Sequence, residues 1–130
     1  MTVVAGYLPT AGGSAAVDAA ILEATRRHTT LIVVNTGDRA DYSGSEFATA
    51  QDLDALNVEL EASGLPHEVI QPVRGRSAAE EILEAAESHH ADLVVIGIRR
   101  RSPIGKLILG STAQEVLLAA PCPVLAVKPA

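Results

Sequence analysis

Short apolar runs rich in β-branched residues recur along the chain at 3–6, 31–35, 68–71, 93–97 and 124–127. Each is too short for a helix and is bounded by turn formers, so each predicts a strand. Between them the period changes. Val17, Ala20, Ile21 and Ala24 repeat at helical spacing, as do Ala50, Leu53, Leu56 and Leu60, then Ala78, Ile82, Ala85 and Ala86, and finally Ala113, Val116, Leu117 and Ala120. Boundary residues agree: Ser77 to Glu80 and Ser111 to Gln114 both have capping-box spacing, and Gly64 followed by Pro66 closes the second helix. Strands alternating with helices imply right-handed crossovers and a parallel sheet covered on both faces. The near-continuous apolar runs at 31–34 and 93–96 are what doubly covered strands require. The pattern predicts one α/β domain over residues 1–130, an open doubly wound parallel sheet of five strands with four helices.

Composition narrows the class. Hydrophobic residues are 48% of the chain and charged residues 20%, a balance that argues against disorder. Phe47, Tyr7 and Tyr42 are the three aromatics, so the core must be built from Val, Leu, Ile and Ala. The single cysteine, Cys122, cannot form an internal disulfide, and its Pro-Cys-Pro-Val setting suits a small buried thiol in a reducing cytoplasm. Met1-Thr2-Val3-Val4 has no export-signal character, and no apolar run is long enough to span a membrane, so a cytoplasmic location is expected. A net charge of −6 disfavours nucleic acid as a partner, because that affinity comes from neutralising phosphates with a basic face.

In a doubly wound sheet, ligands sit outside the carboxyl ends of the strands, where the winding reverses. That directs attention to the end of the first strand, Ala5, Gly6 and Tyr7, and to the segment after the fourth; Asn35, at the end of the second strand, is a further candidate contact. The latter runs Gly97-Ile98-Arg99-Arg100-Arg101-Ser102-Pro103-Ile104-Gly105-Lys106-Leu107-Ile108-Leu109-Gly110-Ser111-Thr112. Glycines admit close backbone approach, Arg99 and Arg100 supply charge, and Ser111 and Thr112 open a helix whose free N–H groups favour phosphate. The competing explanation is scaffolding: Gly97 ends a strand, Gly110 makes a turn and Ser111 caps a helix.

Gly97, Gly110 and Ser111, followed by Ala120-Pro121-Cys122-Pro123-Val124-Leu125-Ala126-Val127, resemble the C-terminal signature of the universal stress protein family, and the likeness extends over essentially the whole chain. The resemblance implies the strand order 3-2-1-4-5 of the adenine-nucleotide alpha hydrolase-like fold. It also implies a stress-response module that binds ATP or another adenine nucleotide, with Mg²⁺ only alongside the nucleotide. Two positions depart from the ATP-binding branch: Arg100 stands where a second glycine is expected, and Tyr7 stands near an expected acidic residue. Arg100 either replaces backbone contacts with its guanidinium or fills the site; Tyr7 either stacks on a base or packs across the crevice. Gly105 completes the set of candidate ligand contacts.

No catalytic residue is assigned. His28, His67, His89 and His90 lack metal-ligand spacing, and three of them fall at helix carboxyl ends. Gly105-Lys106 is followed by Leu107, so the phosphate loop of the nucleotide triphosphatases is absent. Asp38, Asp41 and Glu46 are more simply solvated loop charges than a metal site. A weak nucleotide phosphohydrolase and a ligand-free interaction scaffold remain as alternatives. The last strand, Val124 to Val127, is apolar and in the family's order lies at the sheet edge, which predicts a homodimer through antiparallel pairing of that strand.

Overall fold

The computed structural model describes residues 2–7, 11–35, 50–71, 75–100 and 107–128, with the side chains at 11, 12, 50–52, 99, 100, 107 and 108 outside that set. Along the chain come β1 (Thr2–Tyr7), α1 (Ala11–Arg27), β2 (Thr30–Asn35), α2 (Ala50–Ser63), β3 (His67–Ile70), α3 (Ala78–Ser88) and β4 (Ala91–Gly97). These are followed by β5 (Arg99–Arg100), β6 (Leu107–Ile108), α4 (Ser111–Ala119) and β7 (Val124–Val127). The expected five strands form one parallel sheet in the order β3-β2-β1-β4-β7, and four helices cover it.

Alternation along each strand divides the core between the two faces. Val3, Ala5, Leu31, Val33, Leu93 and Val95 point to α1 and α2, where Val17, Ala20, Ala24, Leu56 and Leu60 meet them. Val4, Ile32, Val34, Val94 and Ile96 point the other way, to Ile82, Ala85 and Ala86 of α3 and Val116 of α4. Every residue of β1 is buried, the condition that gives a parallel strand its unbroken apolar run.

Helix ends follow local chemistry. Ser77 Oγ accepts from the Glu80 N–H at 3.1 Å and caps α3. Gly64, at φ +73°, turns the chain out of α2 in the left-handed conformation that favours glycine. His28 performs the same turn after α1 at φ +52°, while Thr29 N–H reaches back to Ala24 O at 3.1 Å and His28 N–H to Thr25 O at 3.3 Å. These two bonds are a Schellman closure with histidine in the glycine position.

Four local expectations are corrected. The third strand is His67–Ile70, one residue earlier than 68–71, because His67 pairs with Leu31 and Gln71 stands beyond the ladder. Ala79 is the fully buried alanine at the start of α3, and Ala78 is half-buried. Leu117 is 41% exposed, because α4 buries a stripe of only Ala113 and Val116. Ser111 does not cap α4: Gly110 occupies the cap at φ −70°, ψ 170°, and Ser111 is the first helical residue.

Candidate functional site

All five strands run the same way, so their carboxyl ends share one edge of the molecule. From β1 the chain winds outward to β2 and β3, then returns past β1 to β4, which makes β1 and β4 the pair whose connections leave in opposite directions. A crevice at this reversal is the standard ligand position of such sheets.

Tyr7, Asn35 and Gly97 each end a strand on that edge. Ala5 and Gly6 lie buried within β1, two and one residues short of its end. Tyr7 is 7% exposed and packs in the α1 and α2 cluster, so its ring is part of the core and not an open stacking surface. Asn35 is 6% exposed and its Nδ2 donates to Gln71 Oε1 at 3.3 Å. Gly97 pairs with Val127, and the ladder continues one residue further, with Ile98 N–H donating to Val127 O at 2.8 Å.

The segment from Gly97 to Thr112 is not a continuous loop. Arg99 and Arg100 pair antiparallel with Ile108 and Leu107 in a two-stranded hairpin, so part of the backbone expected to face a ligand is engaged in its own ladder. Gly105 lies outside the described residues, as do Arg101 and Lys106. The hairpin leads into α4, whose first turn is distinctive. Gln114 N–H donates to Gly110 O at 3.0 Å, the first helical bond, and Gln114 Nε2 turns back to Leu109 O at 3.0 Å. Gly110 has no side chain to accept from the amides of Ser111, Thr112 and Ala113, which helix geometry leaves without intrahelical partners. A Cβ at Gly110 would meet nothing within 4 Å, so the glycine is not demanded by packing. Aligned amides and the positive end of the helix dipole can together hold an anion.

The other titratable groups are elsewhere. His28, His67 and His90 lie at the opposite edge, where His67 Nδ1 is 2.8 Å from Leu65 O. An open concavity of about 570 Å³ at that edge is lined by Thr25, His28, Thr29, Thr30, Ser63, Leu65 and Pro66. Its Thr25 and Ser63 hydroxyls already donate to their own helices, at Ile21 O and Leu60 O. Cys122 is half-buried, and burial, then the charge of Asp92, push its thiol upward, away from the thiolate a nucleophile needs. Asp38, Asp41 and Glu46 lie outside the described residues, and among the described residues no group of three His, Cys, Asp or Glu can hold a metal. Among them, too, no helix is long and apolar enough to cross a membrane. Gln71 went unnoticed in the sequence because a lone glutamine after a strand carries no pattern; register and one hydrogen bond reveal it.

Residues 1–128 match the model of the Universal stress protein family. A universal stress protein of Mycolicibacterium smegmatis is 48% identical over 127 residues, covering 98% of this chain and 97% of that protein. Among solved structures, a universal stress protein from Archaeoglobus fulgidus is similar at 30% identity and a TM-score of 0.72, covering 98% of this chain and 97% of that one. A second structure, of the universal stress protein from Archaeoglobus fulgidus in complex with dAMP, is similar at 25% identity and a TM-score of 0.66, over 98% and 96% of the two chains.

Proposed function

This chain belongs to the universal stress protein family, and from that premise we propose that it is a stress-response module binding an adenine nucleotide at the carboxyl edge of its sheet, with the phosphates at the start of α4. The observation that carries this assignment is the glycine-capped first turn of α4, which offers the amides of Ser111, Thr112 and Ala113 to an anion beside the β1–β4 reversal. Support comes from the relative that binds dAMP and from the basic residues Arg99, Arg100, Arg101 and Lys106, concentrated in one segment of an acidic chain. Gly97 and Asn35 border the same crevice as strand ends, and Mg²⁺ accompanies the nucleotide only. The protein acts by binding and supplies no general base, and it works in the cytoplasm as a dimer joined through β7. Ligand binding tests the proposal directly. Thermal unfolding with ATP, ADP, AMP and cyclic AMP, with and without Mg²⁺, is expected to show stabilisation by at least one of them. A ligand at a hundred times its Kd adds about 2.7 kcal/mol. No stabilisation by any of the four at millimolar concentration would overturn it and leave the scaffold role.

A further inference from the structure

Gln114, on the first turn of α4, holds the peptide unit that leads into that helix. Its Nε2 donates to Leu109 O at 3.0 Å, and its backbone N–H donates to Gly110 O, also at 3.0 Å. The orientation of the side-chain amide is settled by its partner, because a backbone carbonyl only accepts and the N–H₂ end must face it. What the first bond restrains is the plane of the Leu109–Gly110 peptide. In a trans peptide the C=O and N–H point opposite ways, so Leu109 O held toward Gln114 turns Gly110 N–H to the other side. Released from that bond, the plane can turn over. Turning over carries φ of Gly110 from −70° to a positive value, which glycine adopts about as readily and other residues do not. The reversed unit would present a carbonyl oxygen where an N–H stood, next in the chain to the amides of Ser111, Thr112 and Ala113.

Resting on phosphate binding at this turn, we propose that Gln114 is a positioning residue for the anion, which keeps Gly110 N–H in place as a fourth donor beside the three first-turn amides. A residue serving helix stability alone would cap the helix, as Ser77 does in α3 by accepting from Glu80 N–H and so occupying an amide. Gln114 does the reverse: it reaches past the cap to a carbonyl and occupies none of the amides an anion would use. The glycine leaves the first turn open, and the glutamine supplies the rigidity the glycine lacks. Donors set in advance spare the ligand the entropic cost of ordering them.

The test is calorimetric titration of the wild type and Gln114→Met, which keeps the length and loses the donor, with inorganic triphosphate, ATP and adenosine. Amide NMR shifts of both ¹⁵N-labelled proteins are followed with triphosphate. Gln114→Met, at an exposed position, is expected to bind triphosphate and ATP roughly three- to tenfold more weakly, the scale of one hydrogen bond, with adenosine affinity unchanged. In the wild type the Gly110 amide proton is expected to move downfield with those of Ser111 to Ala113, and in Gln114→Met its shift is expected to shrink. Unchanged triphosphate affinity in Gln114→Met, an equal loss for adenosine, or a wild-type Gly110 amide that stays still while its three neighbours move overturns this inference and leaves nucleotide binding intact. A wild type in which no α4 amide responds to triphosphate or ATP removes the phosphate from α4, and the role of Gln114 with it.

Discussion

The cap of α4 is a glycine where α3 uses a serine, and the two helices start differently as a result. Ser77 satisfies a first-turn amide of α3 from within, whereas Gly110 leaves those of α4 available. Because a side chain at Gly110 meets open space and φ is −70°, Gly110→Asp can be made without strain. The aspartate would accept from the first-turn amides and complement the helix dipole, stabilising the free protein by a few tenths of a kcal/mol. It would also put a negative charge where the phosphate is proposed to sit. The expected outcome is therefore a pair of opposite changes, a slightly higher melting temperature without ligand and a loss of at least tenfold in nucleotide affinity, the scale of about 1.4 kcal/mol. Unchanged affinity in a stabilised Gly110→Asp protein would move the phosphate away from α4.

Between elements, α1 and α2 meet through two carboxyl groups. A hydrogen bond with Asp18, then burial, then the charge of Asp18, raise Glu59 from 4.5 to about 7. Protonated Glu59 donates to Asp18 across the two helices; ionised, the pair repels. The folded chain therefore holds a proton from pH 4.5 up to about 7 that the unfolded chain has released, so the contribution of this pair is complete below pH 4.5 and is lost as pH rises through 7. Both side chains are exposed and water screens them, which keeps the effect near the 0.5 kcal/mol or so of surface pairs. Glu59→Gln retains a donor at every pH. It is expected to flatten the fall in stability between pH 5 and 8, measured by urea unfolding, and to be the more stable protein at pH 8; an unchanged slope would show that the two carboxyls do not share a proton. Elements of this kind were legible in the sequence to the extent that periodicity reported them. The doubly covered strands, the Ser77 cap and the Gly64 stop all follow from residues within a few positions of each other. The hairpin of Arg99–Arg100 with Leu107–Ile108 did not, because two-residue strands have no period to detect. Nor did the cap of α4, since Gly110 and Ser111 are both acceptable there and Gln114 spacing favoured the wrong one. At the candidate site, Gly97 and Ser111 could be located in advance, but the Asn35–Gln71 contact spans 36 positions and depends on strand register.

For the molecule as a whole, the feature that matters is the outer side of β7. Among the described residues the strand is bonded to β4 alone and ends the sheet, with Leu125 at 38% exposure, while Leu117 and Leu118 of α4 stand 41% and 89% exposed nearby in the chain. Open backbone groups next to apolar side chains invite another strand, and the partner that does not propagate into a fibre is the same strand of a second copy, antiparallel about a two-fold axis. Such pairing closes on itself and uses no other surface. In the proposed dimer each substitution in β7 enters the interface twice, so Leu125→Lys would set two ammonium groups in one apolar contact, whereas Val58→Lys on α2, at a residue 70% exposed, serves as a control away from it. Light scattering of the wild type at high micromolar concentration is expected to give twice the chain mass of 13.5 kDa, Val58→Lys the same, and Leu125→Lys a mass falling toward a single chain with helix content unchanged. A monomeric wild type would overturn dimerisation. A Leu125→Lys protein that stayed dimeric would place the contact on another face.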